Sequence, residues 1–203
     1  MSQEREIRGV SGWVMVVVLF AGVLGSVFGI VLAARANNTP GVIVGPLAII
    51  VACVSFFGLT VVNPNEAKVV TLFGVYKGSI KTAGFWWVNP LTARRRLSLR
   101  VRNFESGKLK VNDHDGNPIE IAAVVVWRVG DTAQAVFDVD NYENFVTTQS
   151  ESALRHMASR YPYDDGTEDE VTLRSNVEEV SNALRVELEQ RLAKAGVMVD
   201  ETR

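Results

Sequence analysis

The chain has 203 residues, 47% of them apolar, with a net charge of −2 and one cysteine. These averages conceal two unlike parts, a strongly apolar amino-terminal third and a mixed-charge remainder large enough to bury one core. A lone cysteine excludes a disulfide framework.

Residues 1–12 form a short polar tail. Residues 13–34 then run 22 positions without a charge, and residues 42–62 run 21. At about 1.5 Å per residue each run reaches roughly 30 Å as a helix, the thickness of a bilayer core. Residues 35–41 between them suffice for a turn and nothing larger. The sequence therefore predicts a transmembrane hairpin, helix 1 over 13–34 and helix 2 over 42–62, ahead of a domain over 63–203. A cleaved signal sequence fits poorly. The first run exceeds a typical signal core, no A-x-A site follows, and a second apolar run comes at once.

Small residues recur every fourth position in the first run, at Ala21, Gly25, Gly29 and Ala33. Such a stripe lets backbones approach closely in lipid. The expected partner is the second run, which carries its own stripe of Gly41, Gly45, Ala48 and Ala52, or a neighbouring copy. Pro46 falls in the first turn of the second run, where a missing N–H costs little. Cys53 lies mid-span as a small apolar filler. Asn37, Asn38 and Thr39 spell a glycosylation sequon too close to both runs to be used. Two spans place both ends on one side. That side carries Arg5, Arg8, Lys68, Lys77 and Lys81 against Arg35 alone in the turn, so the tail and domain are expected in the cytoplasm, on a multi-pass protein of the cell (inner/plasma) membrane.

Charge is unevenly spread. Residues 63–112 hold ten basic and two acidic residues, and residues 113–203 hold eight basic and nineteen acidic. A basic segment next to the spans suits anionic headgroups. The acidic remainder would repel phosphates, so nucleic acid is not expected as a partner.

In the domain, residues 67–73 read as a strand, Gly74 and Gly78 bracket a turn, and another short strand or loop follows. Residues 84–90 hold Phe85, Trp86 and Trp87 close to Arg94, Arg95 and Arg96, a combination suited either to the headgroup zone or, for the tryptophans, to an ordinary core. Residues 97–102 and 108–112 alternate as half-exposed strands. Asp115-Gly116 signals a hairpin turn before an apolar run over 119–129. Asp113, Asp115 and Asn117 do not make a calcium loop, because Pro118 stands where glycine is required and Val124 where glutamate is. Helices are predicted over 131–137, over 142–161 behind an Asp140 or Asn141 cap, and over 173–195, separated by an acidic loop at 161–170. The last helix carries Val177, Val180, Leu184, Leu188 and Leu192 as one stripe. Residues 197–199 begin a further strand, and the domain is expected to be incomplete at its carboxyl end.

This order, with Asn63-Pro64-Asn65-Glu66-Ala67, Thr71-Leu72-Phe73-Gly74, Gly84-Phe85-Trp86-Trp87-Val88-Asn89-Pro90, Asp115-Gly116-Asn117-Pro118-Ile119, Val126-Trp127-Arg128-Val129 and Ala193-Lys194-Ala195-Gly196-Val197, resembles the stomatin/prohibitin/flotillin (SPFH, or band 7) family over nearly all of 63–203. The two-span anchor departs from the single span or re-entrant hairpin of many members. Residues 1–203 do not include the long helical assembly segment usual in the family, in keeping with the expectation of a domain incomplete at its carboxyl end. The resemblance implies an α+β fold with an antiparallel sheet and packed helices, and a non-enzymatic scaffold without cofactor or metal. It also implies membrane lipids and a large homo-oligomeric ring or cage as partners, with a membrane-bound ATP-dependent protease or an NfeD-like protein as a client.

Two other readings stand beside it. An accessory subunit of a transporter or receptor would look similar and differ in stoichiometry. A membrane-tethered hydrolase would use Ser152 and His156, four residues apart on one helix, but no G-x-S-x-G, H-E-x-x-H or S-x-x-K pattern supports it. The expected membrane-surface contacts are Phe85, Trp86, Trp87, Arg94, Arg95 and Arg96. The expected packing face in the membrane is Ala21, Gly25, Gly29 and Ala33.

Overall fold

The computed structural model describes residues 4–36, 39–164 and 171–203. Asn37 and Asn38 of the sequon, at the centre of the 35–41 turn, and most of the acidic loop at 161–170 therefore lie outside the described residues. The chain divides into two compact units, Arg5–Leu97 and Ser98–Arg203, the second joined by Glu4.

The first unit starts with β1 (Val10–Ser11), α1 (Gly12–Arg35) and α2 (Thr39–Phe56). It continues with β2 (Leu59–Val62), β3 (Glu66–Leu72), β4 (Val75–Ile80), β5 (Gly84–Trp87) and β6 (Thr92–Ser98). The helix α1 is long and apolar enough to cross a membrane, whereas α2 is shorter. In α1, Leu19 and Ala33 are buried and Val23, Ser26 and Ile30 half-buried, a three–four spacing that marks one helix face. A β-carbon at Gly45 of α2 would collide with Ile30, so glycine there permits close approach of the two helices. Phe20 and Phe56 meet edge to face at 5.5 Å.

The second apolar run is not helical to its end, which corrects the expectation of a helix over 42–62. Phe57 N–H donates to the Val54 carbonyl and Gly58 N–H to that of Ser55, tightening the last turn. Gly58 has no side chain to obstruct Trp87 and the Val88 carbonyl. Residues 59–62, rich in β-branched side chains, then pair antiparallel with β5. An apolar run does not by itself distinguish helix from buried strand.

The amino-terminal tail is also structured. Val10 pairs with Trp87 and Ser11 with Trp86, making the three-stranded order β1-β5-β2. Upstream, Ile7 N–H donates to Ser79 O and Ser79 N–H to Arg5 O. A second sheet has the order β4-β3-β6. The buried core of this unit is Val62, Val70, Ile80 and Val88, with Ile7 and Trp86 packed against it.

The second unit contains β7 (Arg102–Glu105), β8 (Leu109–Asn112), β9 (Pro118–Ile121), β10 (Val124–Val129), α3 (Thr132–Phe137), α4 (Tyr142–Arg160), α5 (Val177–Leu192) and β11 (Val197–Thr202). Its sheet runs β11-β10-β7, all antiparallel, and β8 and β9 form a separate ribbon. The core takes Val125, Trp127 and Val129 from β10, Val146, Leu154 and Met157 from α4, and Leu184, Leu188 and Leu192 from α5. Asp131 caps α3 by accepting from Ala133 and Gln134 N–H at 2.9 Å each, and Asn141 caps α4 by accepting from Glu143 and Asn144 N–H.

Three boundaries differ from expectation. The strand predicted over 97–102 is broken at 99–101, where one sheet is left and another entered. The run over 119–129 is two strands, separated where Ala123 N–H donates to the Ser106 hydroxyl at 2.8 Å. The last helix begins at Val177, because Thr172 Oγ1 accepts from Ser175 N–H and holds the preceding residues in a turn.

Candidate functional site

The strand β5 carries the three aromatics singled out in sequence, and its pairing sorts them. Directly paired residues share a sheet face. Val10, Trp87 and Leu59 therefore lie on one face, joined by Val61 and Phe85, whereas Ser11, Trp86 and Thr60 lie on the other. Trp86 packs on the core and donates its indole N–H to the Thr82 carbonyl at 3.0 Å. Phe85 meets Trp13 edge to face at 5.4 Å. Trp87 donates its indole N–H to the Ser55 carbonyl at 2.8 Å. The loop of tryptophans is thus a strand with one core tryptophan and one that reaches the end of α2. Around it, Val10, Trp13, Phe57, Val61 and Leu91 are exposed.

The three arginines sit on β6 and divide likewise. Successive strand residues face opposite ways. Arg94 and Arg96 share a face, and Arg95 lies on the other, exposed. Arg94 donates to the carbonyls of Phe57 at 2.7 Å and Leu59 at 3.3 Å, while its Nε–H is buried without a partner among the described residues. Arg96 Nε pairs with Glu66 at 2.7 Å, and Glu66 also accepts from Asn63. Lys68 stands two residues from Glu66 on β3 and donates to Thr60 Oγ1 at 2.6 Å. Burial pulls the Lys68 ammonium below its ordinary range; Glu66 opposes this, and Arg94 and Arg96 add to it. Glu66 and Lys68, absent from the sequence-derived site, complete the cluster. Their spacing of two puts both on one face of a strand, but that the strand neighbours the arginines is given only by the sheet order.

In α1 the small-residue stripe separates too. Ala33 is buried, and Ala21, Gly25 and Gly29 are exposed. A β-carbon built at Gly25 or Gly29 meets nothing within 4 Å. In the second unit the Ser152 hydroxyl accepts from Arg191 at 3.2 Å, and His156 Nδ1 faces Glu187 at 3.0 Å. Glu187 is shared with Arg191. Each side chain therefore has a partner that suits an interhelical tie. Asp113, Asp115 and Asn117 form a self-satisfied turn in which the Asp113 carboxylate accepts from the N–H groups of Asp115, Asn117 and Tyr163. Among the described residues no three His, Cys, Asp or Glu side chains are grouped to hold a metal.

The chain places an antiparallel α+β domain behind an apolar helix, with polar side chains tying the helix end to the sheet. Residues 60–203 match the family described as SPFH domain / Band 7 family, and the chain belongs to that family. Its members are generally membrane-associated scaffolds rather than enzymes. Comparison with curated proteins gives no match.

Proposed function

We propose that this protein is a membrane-anchored scaffold whose two apolar helices form a transmembrane hairpin and whose copies assemble on the membrane to organise lipid and hold other membrane proteins. The observation that carries the hairpin is the double pairing of β5. It binds β1, which precedes α1, and β2, which follows α2. Both ends of the helical pair therefore attach to one strand and emerge on one side. The helix α1 reaches about 36 Å, enough to cross a bilayer core, and α2 about 27 Å, close to the core's thickness of about 30 Å. The excess of Lys and Arg beside these ends supports a cytoplasmic domain on an inner or plasma membrane.

On this reading Phe85 and Trp87, with the exposed apolar side chains around them, lie at the membrane surface with Arg94, Arg95 and Arg96, and Trp86 fixes the strand to the core beneath. The open face of Ala21, Gly25 and Gly29 supports lateral packing between copies. The client is of the kind the family relationship suggests, a membrane-bound ATP-dependent protease or an NfeD-like protein. The test is native mass by mass photometry after extraction into polymer nanodiscs. Ring-shaped particles of many copies are the expected result. A monomer or small oligomer bound to a transporter would favour an accessory subunit and end the scaffold reading for this chain.

A further inference from the structure

Glu66 and Lys68 on β3 share a face with Arg94 and Arg96 on the neighbouring β6. The cluster therefore holds three cations around one buried carboxylate, Glu66, and its charge does not balance. Arg96 is the cation paired with Glu66. Arg94 spends its two terminal nitrogens on neutral carbonyls, and its buried Nε–H has no acceptor among the described residues. Lys68 spends one donor on a hydroxyl, leaving two. Desolvation and its cationic neighbours work against the Lys68 charge, a cost that a bound anion relieves. The cluster lies beside the carbonyls that end α2, and Phe57, Val61 and Leu91 on the same stretches of chain are exposed and apolar. A surplus of two charges bordered by apolar side chains at a helix exit matches the boundary between phosphate and acyl chain.

We infer that Lys68 and Arg96, on a site positioned by Arg94, bind the phosphate of an anionic phospholipid headgroup where α2 leaves the bilayer. The inference rests on the hairpin spanning the membrane. It narrows the general surface contact to three side chains on one face of β3 and β6, and it leaves Arg95 outside. Arg94 positions the site on α2, and Lys68 and Arg96 supply the donors that reach the ligand. Glu66 holds Arg96 in place and prevents the site from being a bare cationic patch open to any anion.

The test uses the full chain in phosphatidylcholine nanodiscs, with tryptophan fluorescence quenched by brominated phosphatidylglycerol or brominated phosphatidylcholine at rising mole fraction. Trp87 and Trp86 report near the site, Trp13 at the start of α1 reports general lipid contact and is replaced by Phe in every protein compared, and Trp127 supplies a constant background. Saturable quenching by phosphatidylglycerol at low mole fraction is expected. Lys68→Gln and Arg96→Gln each shift the midpoint upward by about fivefold, whereas Arg95→Gln leaves it in place. Circular dichroism of each variant confirms the fold, and the Arg95→Gln comparison removes general charge loss as an explanation. Equal quenching by both lipids, or an equal shift with Arg95→Gln, overturns the site and leaves the anchor standing. Full displacement of phosphatidylglycerol by inorganic phosphate makes it a free-anion site and overturns the lipid assignment. No quenching by either lipid overturns the membrane reading and the site together.

Discussion

Arg94 and Phe57 are joined by a hydrogen bond of 2.7 Å from the guanidinium Nη2 to the main-chain carbonyl. With Trp87 on Ser55 and Arg94 on Leu59, three carbonyls at the exit of α2 are satisfied by side chains about thirty or more positions later in the chain. Ser55 also accepts from Gly58 N–H and Leu59 opens β2, so the side chains matter most at Phe57, just past the helix, where in or near lipid water does not supply a donor. A cation there also opposes the negative end of the helix dipole. Arg94→Lys keeps the charge and loses the planar fork. The expected cost is about 1–3 kcal/mol, read as a lower midpoint in thermal unfolding of the reconstituted chain. Faster amide exchange at Thr60 to Val62 is expected with it. An unchanged midpoint would show that the two carbonyls find other donors.

The turn between β3 and β4 is built against local preference. Phe73 has φ +49° and Gly74 φ +83°, a pair of left-handed residues that hairpins usually fill with Asn-Gly. Phe73 is 84% exposed and so gains little from burial in return. Phe73→Asn should stabilise the domain by about 1 kcal/mol, seen as a higher denaturant midpoint. If the midpoint rises while membrane association or assembly falls, the exposed ring has a partner that holds it there.

Much of the second unit was legible in sequence because its signals are local. Asn141 caps α4 as one of the two candidates expected, and Asp131, expected as the first residue of its helix, caps it instead, since an N-cap needs only a side-chain oxygen and two N–H groups nearby. The hairpin at Asp115-Gly116 formed for the same reason. What was not legible is non-local. Nothing in residues 5–11 announces that they pair with a strand more than seventy positions later, across both helices. The division of 42–62 into helix and strand depends on β5 being present to receive β2. The separation of Arg94 and Arg96 from Arg95 becomes visible only once the segment is known to be a strand, and Glu66 belongs with them only through the sheet order.

The Asp113 turn predicts a pH dependence. Burial alone would raise the Asp113 carboxyl. Hydrogen bonds from Asn117 main chain and side chain, Tyr163 and Asp115 outweigh it and hold the group below its ordinary value. A carboxyl with a lowered folded-state pKa contributes stability that is present above its unfolded value of about 3.9 and is lost as pH falls through the folded value. Native stability should therefore fall below about pH 4, and Asp113→Asn should remove part of that slope. Urea midpoints from neutral to strongly acid pH measure it. Identical slopes in the two proteins would assign the acid sensitivity elsewhere, with Glu143, lowered by its pairing to Arg102, the next group to replace.

The two glycine environments in the helices give opposite predictions. At Gly45 any side chain collides with Ile30, so Gly45→Leu should separate α1 from α2 and lower the thermal midpoint by an amount typical of an overpacked core, about 1–3 kcal/mol. At Gly25 and Gly29 a side chain meets open space, so the double replacement by leucine should leave the unfolding midpoint of a single chain unchanged or slightly raised. Its effect should appear in the assembly. If this face packs against a neighbouring copy, leucine keeps the backbones apart and native mass falls. Loss of mass with an unchanged midpoint would place the contact between copies, since no change within the pair could produce it. Unchanged mass with an unchanged midpoint would assign Gly25 and Gly29 to lipid and leave assembly to the folded units outside the bilayer.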